Sequence, residues 1–384
     1  MRCNGQRPAD LWEKIAGVYP CRDGRWVRVH TNFPHHRDGV LALLGCAYER
    51  SAVAQALLGW DAESFEEAAA ARGLCVAMAR SFQEWDQHPQ GEAVARGRLI
   101  TIDELDHAPP RRIGFGARPL EGIRVLDLTR IIAGPVCART LAAHGAEVLH
   151  VTSPTLPSIQ PLVMDTGRGK RSCHIDLATP AGRERLAALV RDADVFVQGY
   201  RPGALARLGF GPEALARLRP GIVCVSLSAY GPSGPWAGRR GFDSLVQMAT
   251  GINWAEAWDR ARPGTPAQPE PLPAQALDHS AGYLMASGII AALVRQISQG
   301  QSWHVGVSLA QCGHWLRSLG RIHEGFAPAD PGYDQVADVM EDSASGFGTL
   351  RAVSHSARLA RTPAFWAEPS VPLGSHPAAW RRPR

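Results

Sequence analysis

The sequence contains eight cysteines and no pair at CxxC spacing: Cys3, Cys21, Cys46, Cys75, Cys137, Cys173, Cys224 and Cys312 all stand alone. None sits beside a histidine at zinc-ligand spacing, so zinc modules and disulfide scaffolds find no support. Scattered single cysteines read as small buried apolar residues in a reducing compartment. The opening MRCNGQRPADLWEK lacks the apolar run of a secretory leader, and no stretch reaches the roughly 18 uninterrupted apolar residues of a membrane span. The expectation is a cytoplasmic protein without a membrane partner. Nor is there a Lys/Arg run interleaved with aromatics, so nucleic acid is not an expected partner. The formal charge of +5, carried mostly by Arg, suits anionic small molecules instead.

Two further absences narrow the chemistry. GxSxG and HExxH do not occur, which removes the serine-hydrolase and zinc-protease readings. The adjacent His35 and His36 have no carboxylate or cysteine at ligand spacing. They read as a surface or interface pair, and no metal is expected.

The 384 residues are enough for two domains. Residues 1–105 form one compositional unit, expected to be a small α+β domain. DGRWVRVHT (Asp23–Thr31) alternates as a strand does, and helical patterns cover His36–Leu44, Ala52–Leu58 and Ala62–Arg72. Residues 106–118, with two prolines and two glycines, read as a linker.

From 119 to 323 the rhythm changes to short apolar runs separated by helices. IRVLDL, AEVLHV, DVFVQ, GIVCVSLSAY and SWHVGVSL are strands by this pattern, with helices over Pro135–His144, Thr179–Ala193 and Ser280–Gln299. That alternation predicts βαβ units and a parallel sheet with flanking helices. The fold class expected is therefore α/β, a Rossmann-like parallel sheet plus a smaller α+β domain placed N-terminally. The turn after the first strand, Leu128-Thr-Arg-Ile-Ile-Ala-Gly134, does not spell GxGxxG, so a dinucleotide cofactor is disfavoured. Residues 324–384, rich in Gly, Pro and Ser, read as an extended tail wrapping over the rest.

Several of these segments, in order, resemble family III CoA-transferases, the group that includes formyl-CoA and carnitine CoA-transferases. They are PLEGIRVLDLTRIIAGPVCARTLAAHGAEVLHV (Pro119–Val151), GKRSCHIDL (Gly169–Leu177), ADVFVQGYRPGALARLGFG (Ala193–Gly211), LSAYGPSGPWAGRRGFDSLVQ (Leu227–Gln247), ALDHSAGYLMASGIIAAL (Ala276–Leu293) and GQSWHVGVSLAQ (Gly300–Gln311). The domain order departs from the family. The segment resembling its small domain, including SFQEWDQHPQG (Ser81–Gly91), comes first here, as though the chain were part of a double-length relative or a rearranged one.

The resemblance implies acyl-CoA and a carboxylic acid as substrates, and a homodimer or an assembly with a related chain. It also implies a nucleophilic carboxylate just before a helix of small residues, which ALDHSAG places at Asp278. Desolvation would make such a carboxylate reactive, and a helix start would favour its charge. The same local sequence reads equally as an N-cap. Asp243 is a second acidic candidate, with capping of its own helix as the alternative. For coenzyme A the resemblance points to Arg130, Ile131, Ile132, Lys170, Arg171, Tyr200, Arg201, Arg207 and Arg240, the cations toward phosphates and Tyr200 toward adenine.

Where some relatives carry Arg after the second strand, this chain has Thr152-Ser153-Pro154-Thr155. In the related α-methylacyl-CoA racemases a histidine precedes the acid at Asp243; here it is Phe242, which cannot move a proton. CoA transfer is thus favoured over racemisation, with a CoA-binding subunit lacking catalysis as the third reading. His279 is expected to be a wall residue beside Asp278. The loop Asn253–Pro273, Pro-rich, is expected to have no fixed shape.

Overall fold

The apolar runs between residues 123 and 230, together with SWHVGVSL, meet in one seven-stranded sheet in the computed structural model, which describes residues 1–111, 116–260, 267–322, 325 and 329–381. Its strands are β1 (Thr101–Asp106), β2 (Arg124–Leu128), β3 (Glu147–Thr152), β4 (Lys170–His174), β5 (Val195–Gln198), β6 (Val223–Ser228) and β7 (Ser302–Ser308). The spatial order is β1-β7-β6-β5-β2-β3-β4. Strands β2 to β7 run parallel, and β1 lies antiparallel to β7 at one edge. Val125, Leu126 and Leu128 are almost fully buried, as an apolar run in a doubly covered sheet should be.

This order is the doubly wound arrangement, and its direction reverses between β2 and β5. Side chains at the carboxyl ends of those two strands therefore splay apart and open a crevice.

Three helices frame that crevice: α1 (Ala133–Ala143), α2 (Asp243–Ala249) and α3 (Ala276–Gln299). Helix α3 starts four residues earlier than the small-residue pattern alone predicts. It crosses α1 closely, since a Cβ on Gly282 would stand 2.7 Å from the Ala133 carbonyl oxygen and 2.8 Å from Val136. The small residues are thus a packing requirement. By length and composition α3 could cross a membrane, yet more than half of its apolar window is buried in this core.

The N-terminal unit is an antiparallel sheet of Gly17–Pro20, Trp26–Val29 and Val76–Met78 with helices Pro34–Leu44, Arg50–Leu57 and Ala62–Ala71. It has its own core around Val27, Val29, Val53, Leu57 and Phe65. Helix α2 packs against two of its strands and against α3 of the larger unit.

Three expectations change in detail. The compositional boundary at residue 105 falls inside β1, which belongs to the large sheet because its backbone pairs with β7. The tail is not wholly extended: Met340–Ser345 and Gly348–Val353 form a hairpin, and Arg2–Cys3 adds to it as a third strand. Part of the expected loop is helical, over Ile252–Arg260, where Ile252, Glu256 and Ala257 are buried together at helical spacing. Linker residues 112–115, loop residues 261–266 and residues 323–324 and 326–328 at the tail boundary lie outside the described residues.

Candidate active site

Asp278 is the third residue of α3, whose N-cap is Gln275 with no side-chain capping bond. Asp243 is the first residue of α2, whose N-cap is Phe242, again without a side-chain bond. Neither aspartate caps its own helix. Instead Asp243 reaches across: its Oδ2 accepts the backbone N–H of Asp278 at 2.8 Å, and its Oδ1 accepts from Gln247 Nε2. One of the orphan donors of α3 is thereby satisfied from another helix.

Asp243 is 0% exposed and Asp278 8%. Burial lifts the Asp278 carboxyl well above the ordinary carboxylate range, and the nearby Asp243 charge adds to the rise. Burial also raises Asp243, while the Asp278 N–H and the Gln247 amide hold part of that rise back. The result is a desolvated carboxylate on a rigid helix start, with a second carboxylate fixed behind it.

Asp278 lines a cavity of about 390 Å³ at the carboxyl ends of β2 and β5. The same cavity gathers Arg130, Ile131, Ile132, Tyr200, Arg201 and Arg240. Ile131 has φ +75°, a left-handed conformation that is costly for a β-branched side chain and marks a forced turn. Arg130 donates to the Pro157 carbonyl and lies over the Phe33 ring. A second groove, about 280 Å³, runs on past Leu156 and Tyr200. Thr152, Ser153 and Thr155 line it, so it presents hydroxyls where the family resemblance looks for a cation.

Three expected cofactor contacts lie elsewhere. Lys170 is buried beneath the first turn, with Nζ 2.8 Å from Asp127 Oδ2 and 2.8 Å from the Pro135 carbonyl. It cannot meet a phosphate there. Arg171 donates to the Ala379 carbonyl at 2.8 Å and lies 3.7 Å from Glu147, bound to the tail. Arg207 is exposed on a short 3-10 turn outside the cavity lining. His279, expected in the wall, does not line the cavity either, and its imidazole feels the Arg139 and Asp165 charges.

Sequence reasoning missed the opposite wall, which the N-terminal unit supplies. Phe33, His35, His36 and Cys75 line the cavity beside Phe242. Phe242 stacks on His30 with ring centroids 4.0 Å apart. His36 is only 3% exposed, and Arg240 Nη1 donates to its Nε2 at 2.8 Å. The available signal was HTNFPHH, a strand end followed at once by four aromatic or imidazole rings near a helix start. Among the described residues no group of three or more His, Cys, Asp or Glu could hold a metal ion.

Comparison with known families settles the lineage of this arrangement. The model of CoA-transferase family III matches residues 120–361, well over half of the chain. The chain belongs to CoA-transferase family III.

Among the family's members, an acyl-CoA transferase of Gibberella moniliformis is 32% identical over 320 residues, covering 77% of this chain and 55% of that protein. That share exceeds what residues 120–384 hold, so the match reaches into the N-terminal unit. A formyl-CoA:oxalate CoA-transferase of Rhodopseudomonas palustris is 30% identical over 253 residues, 60% of this chain and 58% of that protein. The chain spans about half the length of the curated relatives it matches. The crystal structure of Rv3272 from M. tuberculosis superimposes with a TM-score of 0.58 at 23% identity, covering 67% of this chain and 98% of that one. It shares the fold.

Proposed function

We propose that this protein moves coenzyme A between an acyl-CoA and a carboxylic acid, with Asp278 as the covalent nucleophile. The observation that carries the reading is the desolvated Asp278 carboxyl group lining the crevice, on a helix start whose Asp278 N–H is fixed by Asp243. Dehydration raises the reactivity of a carboxylate, and the fixed helix start removes the cost of orienting it.

In the reaction an Asp278 oxygen attacks the thioester carbonyl, the C–S bond breaks, and the CoA thiolate leaves. The product is a mixed anhydride of Asp278. The thiolate then attacks the aspartyl carbonyl of that anhydride and releases the first acid, leaving an aspartyl-CoA thioester. The incoming carboxylate repeats the sequence in reverse and departs as the new acyl-CoA. No net proton or water is consumed.

The nucleotide end of CoA fits the groove lined by Thr152, Leu156 and Tyr200, with Arg130 and Arg201 at its junction with the main cavity. Phe242, stacked on His30, supports transfer over racemisation because its ring exchanges no proton. All eight cysteines are free, in keeping with a reducing, cytoplasmic setting, and we extend the proposal to assembly with a second copy or a related chain.

The test is to add acyl-CoA, quench with hydroxylamine or borohydride, and map the modified residue by mass spectrometry. Modification at Asp278, lost in Asp278→Ala, is expected. CoA exchange that continues without any adduct at Asp278 overturns the reading. Incorporation of solvent deuterium at the α-carbon of a 2-methylacyl-CoA would favour a racemase instead.

A further inference from the structure

A second cavity, about 440 Å³, lies along the face of the large sheet. Tyr200, Arg201, Leu227 and Ser228 line both it and the Asp278 crevice. Val94, Leu205, Phe210 and Leu215 give it apolar sides. Its lining includes one polar residue from each of four adjacent strands: Gln198 on β5, Ser226 on β6, His304 on β7 and Asp103 on β1. Gln198 pairs with Ser226 in the strand register, and Asp103 with His304, whose other neighbour is Cys224. Alternation along the strands therefore puts all four side chains on one face.

The hydrogen bonds along this row have a direction. The Tyr200 backbone N–H donates to Gln198 Oε1 at 2.9 Å, which turns Gln198 Nε2 toward Ser226, where it donates to Oγ at 2.9 Å. The Ser226 hydroxyl proton then has one acceptor in reach among the described residues, His304 Nε2, 2.9 Å from Oγ. His304 keeps its own proton on Nδ1. Burial holds His304 below the ordinary imidazole range, so it is neutral and open to a proton at neutral pH, while the Asp103 and Glu213 charges favour the cation it forms. Ser226 and His304 are both half-buried, reachable from the cavity. The sequence lacks the GxSxG elbow, but a set of acid, imidazole and hydroxyl is recognised by geometry and role.

We propose that Ser226, His304 and Asp103 form a second catalytic site, which hydrolyses carboxylic esters with small apolar acyl groups. The apolar sides suit an uncharged ester, and the polar row supplies its nucleophile and base. Ser226 Oγ bonds to the ester carbonyl carbon and passes its proton to His304 Nε2. The C–O bond to the alcohol breaks, and the alcohol leaves with that proton. Water then attacks the acyl-Ser226 carbonyl and gives a proton to His304, which returns it to Ser226 as the acid departs. One ester and one water become one acid and one alcohol. The Gln198 amide is the donor placed beside the developing oxyanion. None of these groups takes part in CoA transfer at Asp278, so the two activities stand or fall separately.

The test treats the full chain with a fluorophosphonate probe, maps the adduct by mass spectrometry, and follows p-nitrophenyl butyrate hydrolysis in parallel. An adduct on Ser226 and turnover of the ester are expected. Ser226→Ala removes both, and His304→Gln lowers turnover by about 100-fold or more, each with a melting curve like that of wild type. Asp103→Asn moves the acid limb of the hydrolysis profile to lower pH, because the imidazolium loses a favourable neighbouring charge. A merely structural aspartate would leave that limb in place.

No adduct at Ser226 in folded wild-type protein overturns the proposal, as does an adduct on Ser228 or Ser308 in its stead. Turnover that Ser226→Ala leaves unchanged overturns it too. The wild-type adduct map decides the question even where a variant fails to fold.

Discussion

Asp243 Oδ2 accepts the backbone N–H of Asp278, linking the start of one helix to the start of another across 35 residues of sequence. The bond does two things at once. It fixes the third residue of α3 in space, and it sets a negative charge beside a second carboxylate. Removing Asp243 therefore has separable geometric and electrostatic effects.

Asp243→Ala frees the start of α3 and is expected to lower kcat by about 100-fold, the scale of a misplaced reacting group. Asp243→Asn keeps an acceptor for the Asp278 N–H but removes the charge. Because that charge helps raise the Asp278 carboxyl, its loss lets Asp278 ionise at lower pH. The acid limb of the pH–rate profile should move to lower pH in Asp243→Asn, with kcat on the plateau closer to wild type. An unmoved limb would assign Asp243 a purely structural part.

Asp278→Asn should stabilise the protein while abolishing transfer. The folded-state pKa of Asp278 lies above its unfolded value, so the native form binds the extra proton between those two values. Stability then falls as pH rises through that window, and the loss is complete above the folded pKa. Asparagine has no charge to bury. Its melting temperature is expected to exceed wild type by about 2–4 °C at pH 8, with the gap closing near pH 4. Thermal melts of both proteins at the two pH values decide it.

Lys170→Met should cost stability. It would leave Asp127, which is 0% exposed, without its cation and retaining only its bonds from Thr129. Burial opposes the Asp127 charge, and Lys170, with help from His150 and the Thr129 hydroxyl, more than offsets this in the folded protein. Breaking such a buried pair costs about 3–5 kcal/mol. Urea midpoints should show that loss, and adding Asp127→Asn should recover much of it. A stable Lys170→Met protein with weakened CoA binding would return Lys170 to the cofactor site.

Gly282→Val tests the contact between α1 and α3. The new side chain would start 2.7 Å from a backbone carbonyl that cannot move aside cheaply. Overpacking of this kind costs about 1–3 kcal/mol, and the displaced helix carries Asp278 with it. Lower stability together with lower kcat is expected. Stability lost with kcat intact would mean that the first turn of α3 is held by Asp243 alone.

The strands were legible because a buried parallel strand must be a short apolar run, and IRVLDL, AEVLHV and GIVCVSLSAY are all of that kind. Helix α3 was legible too, apart from its start: a helix's first turn depends on what meets its free N–H groups, and here that partner lies 35 residues upstream. Lys170 shows the limit more sharply. GKRS reads the same whether its lysine faces solvent or an aspartate, and the deciding Asp127 is 43 residues away on β2, with β3 lying between the two strands. The Arg240–His36 contact spans 204 residues and joins two units that composition alone separates. Local pattern reports period and polarity; it carries no record of which distant side chain will stand opposite.

The tail along β4 has a consequence unrelated to catalysis. β4 is the outermost strand on its side of the sheet, and its outward backbone groups at Ser172 are occupied by His376: the His376 N–H donates to the Ser172 carbonyl at 2.8 Å, and His376 Nδ1 accepts from the Ser172 N–H at 3.2 Å. Nearby, Trp380 is pinned to the Leu189 carbonyl at 3.0 Å. A bare strand edge is a template for another chain's strand, and this protein covers its own. A variant cut before His376 would keep Asp278 and its crevice. Its failure would be social, in molecules adhering to one another through an exposed seam.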